Sequence, residues 1–188
     1  MEVSEYYSNP RINLIGSVGE DMLGSLDSQI RNLTSESDTP LIVTLASGGG
    51  SVGYARAIYE ELSLLQQKRD ISLVARGICL SAAVTIAMSV PLNRRLATPN
   101  TKFLMHEGIQ NGSPNVSGSL SARKIQLANF LKDFEDDEDE NQWVIDVIAK
   151  GCNQPLNVVE GKVRDGVWLV GKEAVRFGLV GSLIGIPE

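Results

Sequence analysis

The sequence predicts an α/β fold built on a parallel sheet, and three observations support that expectation. Short apolar and β-branched runs alternate regularly with segments of helical spacing. Two of those runs, at 41–45 (LIVTL) and 71–75 (ISLVA), are nearly continuous rather than alternating, as in strands covered on both faces. Glycine- or serine-rich turns separate strand from helix, and strand–helix–strand repetition implies crossover connections.

The elements follow in order. Positions 11–15 form a short apolar strand, and 20–33 repeat Met22, Leu23, Leu26 and Ile30 at helical spacing. The strand at 41–45 runs into three glycines, and 52–65 is helical with Ala55, Ile58, Tyr59, Leu62 and Leu65 on one side. The strand at 71–75 precedes an almost wholly apolar helix over 82–90. Two short strands, 95–98 and 102–105, flank the turn Pro99-Asn100. Positions 108–118 (GIQNGSPNVSG) are rich in turn formers. A long helical segment then runs from about 121 to 148, followed by a short helix over 155–163 and a helix–strand pair over 173–184. With no internal repeat and no linker, the expectation is one domain over 1–188. An extended arm at about 108–150 carries an acidic insertion.

Composition narrows the function classes. The net charge is -6, yet positions 133–140 (DFEDDEDE) alone hold seven acids, so the remainder is close to neutral. There is no basic stripe for nucleic acid and no basic amphipathic helix for a membrane. The acidic run lacks the glycine turn and alternating oxygen ligands of a calcium loop, and it reads as a solvated face. No apolar run approaches the ~20 residues that span a bilayer. The first residues, MEVSEYYSNPRI, show no secretory-signal pattern. Cys79 and Cys152 form no disulfide framework and suit a reducing compartment, so a cytoplasmic location is expected.

Three constellations bear chemistry. Ser47-Gly48-Gly49-Gly50-Ser51 lies between a strand and a helix, where unobstructed N–H groups and a helix N-terminus suit an anion or a developing oxyanion. A plain tight turn has the same composition, and the loop lacks the Gly-Lys-Ser/Thr ending of a P-loop. Gly77-Ile78-Cys79-Leu80-Ser81-Ala82-Ala83 again joins strand to helix. Ser81 there is either a structural N-cap or a nucleophile, with the Ala82 N–H able to stabilise an oxyanion. Phe103-Leu104-Met105-His106 ends a strand with the one histidine of the chain. It is either structural or the base that a serine nucleophile needs, a role a lysine can also fill.

Together these segments resemble the proteolytic subunit of the Clp protease. The matches are RINLIGSV (11–18), SGGGSVGYARAIYE (47–60), GICLSAA (77–83), RLATPNTKFLMHEG (95–108) and KEAVRFGLVGSLI (172–184), in the family's order and spanning most of the chain. The step from Ser81 to His106 fits without a gap. The resemblance implies a ClpP/crotonase-like spiral of parallel-sheet βα units with a protruding strand–helix arm. It further implies a serine peptidase acting on peptide or unfolded polypeptide, with Ser81 as nucleophile, His106 as general base, and the N–H groups of Gly49 and Ala82 as oxyanion hole. No metal or organic cofactor is implied. Self-assembly is, because sites of this kind are secluded by neighbouring subunits.

The chain departs from the family in three places. Counting back without a gap from Glu173-Ala174, the place of the family's triad aspartate holds Gly166, and a one-residue shift brings in Asp165. Only ten residues precede Arg11, where the family has a longer segment that contacts an AAA+ unfoldase. The segment between His106 and Gly151 exceeds the family pattern and contains the acidic run. The stretch DGVWLVGKEAVRFGL (165–179) also resembles signal peptide peptidase A, a Ser–Lys enzyme. Three other readings therefore stand beside the peptidase: a catalytically silent subunit of a Clp-like ring, a Ser–Lys peptidase using Lys124 or Lys132, and an acyl-CoA enzyme of the crotonase type.

Overall fold

The longest strand, β3 (Ile71–Leu80), organises the sheet, because it changes partners halfway along its length. The computed structural model describes residues 3–33, 40–108 and 117–185, without the side chains of 3–5, 130, 131 and 133–137. Before β3 come α1 (Val3–Ser8), β1 (Arg11–Ile15), α2 (Glu20–Arg31), β2 (Leu41–Ser47) and α3 (Val52–Gln66). After it come α4 (Ala82–Ala87), a short 3-10 turn (Leu92–Arg94), β4 (Arg95–Ala97) and β5 (Lys102–Met105). The chain continues through α5 (Leu120–Cys152), α6 (Leu156–Asp165), β6 (Val167–Val170), α7 (Lys172–Phe177) and β7 (Ser182–Leu183).

The strands run in the order β1-β2-β3-β4-β7, all parallel, so the predicted α/β class stands. Leu73 to Ala75 of β3 pair with β4, whereas Ile78 to Leu80 pair with β5, and β6 adds antiparallel to β5. Between the two halves the register with β2 jumps from Leu45↔Ala75 to Ser47↔Cys79. Gly77, at φ 69, lies in this irregular stretch, in a backbone region where a side chain is strained. The strand expected over 71–75 therefore extends to Leu80, because ladder pairing overrides the local turn signal of Arg76-Gly77. The helix expected over 155–163 and the last helix–strand pair are also found, each shifted by a residue or two at its ends. α1 and β6 were not expected. Most of the turn-rich stretch expected over 108–118, residues 109–116, lies outside the described residues.

Burial explains why these elements hold. Every residue of β2 but Ala46 is buried, and all of α4 is, so α4 lies wholly within the apolar core. α2 buries Met22 and Leu26, with Glu20 and Asp21 at its positive end and Arg31 at its negative end. α3 is capped by Ser51, whose hydroxyl accepts the Tyr54 N–H, and it buries Ala55, Ile58 and Leu62. α5 is fixed to α3 by Tyr59 and Trp143, edge to face at 5.9 Å, with Arg56 stacked over Trp143 at 4.7 Å. The buried Arg95 guanidinium reaches from β4 to the Gly151 carbonyl near the end of α5.

Both cysteines belong to the core. Burial lifts the Cys79 thiol far above its ordinary range and lifts Cys152 to about 11, with Arg95 partly opposing the second shift. Neither thiol should react with an aromatic disulfide reagent at pH 8 in the folded chain, and both should react after denaturation. An unfolded thiol ionises near 9.0, so the Cys152 contribution to stability is present below that pH and is lost as pH rises towards about 11. Thermal melts above pH 9 should show it, less steeply for Cys152→Ala.

Candidate active site

Parallel strands point their carboxyl ends the same way, and ligand sites of α/β sheets gather there. Here the loop after β2, the turn after β3 and the residue after β5 meet at one cavity of about 510 Å³. Its lining includes Gly48, Gly50, Ser51, Ser81, Ala82 and His106. The strand ladder sets their spacing. Leu80 pairs with Leu104, and the Ser81 N–H continues that ladder by donating to the Leu104 carbonyl at 2.8 Å. Ser81 and His106 thus extend from the same end of adjacent strands.

Ser81 occupies the N-cap position of α4, but it does not cap. Its hydroxyl makes no capping hydrogen bond, whereas Ser51 and Ser119, at the equivalent positions of α3 and α5, each accept a backbone N–H. The Ser81 backbone is at φ 56, ψ -130, a strained conformation for a residue with a Cβ. The hydroxyl is therefore free for chemistry at a half-exposed position on a fully buried helix. The first N–H groups of a helix have no partner within it, and Ala82 is the first residue of α4.

The glycine loop lies directly against this turn. Gly49 has φ 92, and a Cβ there would come within 2.7 Å of both the Leu80 carbonyl oxygen and Ser81 Cβ. Only glycine allows that approach. The loop is pinned from the other side by the Val18 N–H donated to the Gly49 carbonyl at 2.9 Å and the Ser51 N–H donated to the Val18 carbonyl at 3.0 Å. The Gly49 N–H itself is donated to Ser47 Oγ at 3.1 Å.

His106 is half-buried in the cavity wall, with Nδ1 2.6 Å from the Glu107 carbonyl oxygen. A carbonyl only accepts, so Nδ1 is the donor and the neutral ring keeps its basic lone pair on Nε2. Asp165 ends α6, and β6 follows with Val167 opposite Met105, which brings its backbone to the His106 end of β5. Its carboxylate is exposed and lies 3.5 Å from Arg164 Nε. Lys124 and Lys132 are exposed and line no part of this cavity. The sequence reading missed Glu140, Asn141 and Val144 of α5, which close the cavity opposite the glycine loop. The Asn141 side-chain oxygen accepts the Gly108 N–H at 3.0 Å. Among the described residues, no three His, Cys, Asp or Glu side chains converge as metal ligands. No described helix is long and apolar enough to cross a membrane.

Comparison with known proteins gives one consistent result. A sequence profile described as Clp protease matches residues 2–186. The ATP-dependent Clp protease proteolytic subunit 3 of Rhizobium johnstonii is 25% identical over 178 residues, covering 95% of this chain and 85% of the relative. The proteolytic subunit 1 of Chlamydia pneumoniae is 23% identical over 145 residues, 77% of this chain and 70% of the relative. Among solved structures, a mutant ClpP1 from Listeria monocytogenes superposes with a TM-score of 0.78 at 19% identity, covering 96% of this chain and 94% of the other. The fold is therefore that of ClpP.

The three serines at helix starts give a test of the backbone argument. Ser51→Ala and Ser119→Ala each remove a cap and should destabilise the chain by about 1 kcal/mol. Ser81→Gly removes no cap and relaxes the backbone, so it should stabilise by roughly 1 kcal/mol in chemical denaturation.

Proposed function

Because this chain belongs to the Clp protease family, we propose that it is a serine peptidase with Ser81 as nucleophile and His106 as general base. The observation behind this reading is the uncapped, strained Ser81 in the same cavity as an imidazole whose Nε2 is its basic nitrogen. Ser81 Oγ attacks the scissile carbonyl carbon while its proton passes to His106 Nε2. The carbonyl becomes an oxyanion held by the Ala82 N–H and, once released from Ser47 Oγ, the Gly49 N–H. Collapse of that intermediate breaks the C–N bond, and His106 returns the proton to the leaving amine. Water, deprotonated by the same imidazole, then hydrolyses the acyl-enzyme and restores the Ser81 hydroxyl.

The substrate class follows from the family as peptide or unfolded polypeptide, in a self-assembled cytoplasmic complex. Asp165 is the third triad member in this reading. Its side chain must exchange Arg164 for His106 Nδ1, replacing the Glu107 carbonyl. A catalytically silent subunit is the second reading, favoured by two contacts: Arg164 at the Asp165 carboxylate and Ser47 Oγ at the Gly49 N–H.

Labelling with a fluorophosphonate, with the modified residue mapped, separates the two. Ser81 should be the labelled residue and Ser81→Ala should abolish labelling; an unlabelled assembled protein, or another labelled serine, overturns the peptidase reading. His106→Ala should lower peptide hydrolysis by about three to six orders of magnitude, whereas Lys124→Ala and Lys132→Ala leave it largely intact. Asp165→Asn should cost roughly 10³ to 10⁴ in kcat with assembly unchanged. A variant within a few-fold of the parent would instead leave the Glu107 carbonyl as the orienting group.

A further inference from the structure

The wall facing the glycine loop has a charge that the peptidase reading does not use. Glu140 is the only carboxylate among the described residues lining the cavity that holds Ser81 and His106. The other lining groups are glycine, serine, alanine, valine and asparagine, together with the imidazole. Asn141 accepts the Gly108 N–H, which ties this turn of α5 to the chain just beyond His106. Val144, one turn further on, is buried at the base of the same wall. Glu140 is therefore on a braced helix, and it is partly withdrawn from solvent.

Among the described residues, Glu140 has no ion-pair partner. The ion pairs among the described residues are Arg94 with Asp70 and Arg164 with Asp165. The nearest basic side chain of the facing helix, Arg56, is stacked over Trp143 instead. Glu140 Oε1 lies 3.9 Å from where a Cβ on Gly53 would sit, beside the first turn of α3. The positive end of the helix dipole there is worth about half a charge, too little to cancel a carboxylate.

We propose that Glu140 is a specificity-determining residue that receives a cationic substrate side chain, so that the enzyme cleaves preferentially after lysine or arginine. The inference rests on the reading of Ser81 as nucleophile. Val52 and Val144 line the same cavity and offer apolar surface to the aliphatic stem of such a side chain, leaving its charged end for the carboxylate. An uncharged stem gains only the apolar part of that contact, and an acidic one meets a like charge.

The test uses peptidyl diphenyl phosphonates that differ only in the residue at phosphorus: lysine-like, norleucine-like or glutamate-like. Each forms an Oγ–P bond with Ser81 and expels phenoxide, the serine proton passing to His106. In the parent chain at ~0.15 M salt the lysine-like reagent should label about tenfold faster than the norleucine-like one, and the ratio should fall as salt rises. Glu140→Gln should bring the ratio close to one, and Glu140→Lys should reverse it in favour of the glutamate-like reagent. A parent ratio at or below one, or a ratio unchanged in Glu140→Gln, overturns the specificity. If a small fluorophosphonate still labels Ser81 in that case, the nucleophile reading survives without it. If no reagent labels Ser81, both are overturned.

Discussion

A single backbone hydrogen bond sets the geometry on which the site depends: the Ser81 N–H donated to the Leu104 carbonyl at 2.8 Å. It extends the β3–β5 ladder one residue past the strand and fixes Ser81 to the strand that ends beside His106. That ladder exists only because β3 leaves β4 at its midpoint and takes β5 as a neighbour. A straight strand in constant register would keep β4 beside it, and β5 could not bring His106 to this corner. The irregularity at Arg76-Gly77-Ile78 is thus the device that brings Ser81 and His106, proposed above as nucleophile and base, to the same end of the sheet.

The strain at Ser81 is confined by what surrounds it. On one side the backbone of Gly49 approaches so closely that no side chain fits. Behind it α4 is buried over its whole length, with the Thr85 hydroxyl and that of Ser89, just past the helix, donated to the α4 carbonyls of Ala82 and Ile86. A close-packed core has little room to relax, so the unfavourable φ persists. The stability given up at one residue is small beside the burial of the helix it begins.

Much of this could be read in the sequence, because periodicity reports burial directly. The continuous runs at 41–45 and 71–75 are central strands, and the apolar helix after Ser81 is the buried one. What stayed hidden depends on long-range pairing. Val167–Val170 has strand composition, but only its antiparallel partner β5 makes it a strand. A serine before a helix has the same letter whether it caps or not, and a backbone angle separates Ser81 from Ser51. Glu140 was hidden among seven acids because helix phase and neighbouring helices, not composition, decide which of them faces inward. The partner of His106 Nδ1 was equally unreadable, since a backbone carbonyl has no sequence signature.

Chain order has its own consequence. The ribosome makes the glycine loop, Ser81 and His106 before α5, all within consecutive elements of the parallel sheet. The wall opposite them, Glu140 to Val144 on α5, is synthesised afterwards. A nascent chain stopped after His106 contains Ser81 and His106 but not the helix that completes the wall of their cavity. Vectorial synthesis thereby closes the cleft only after the glycine loop, Ser81 and His106 have all been made.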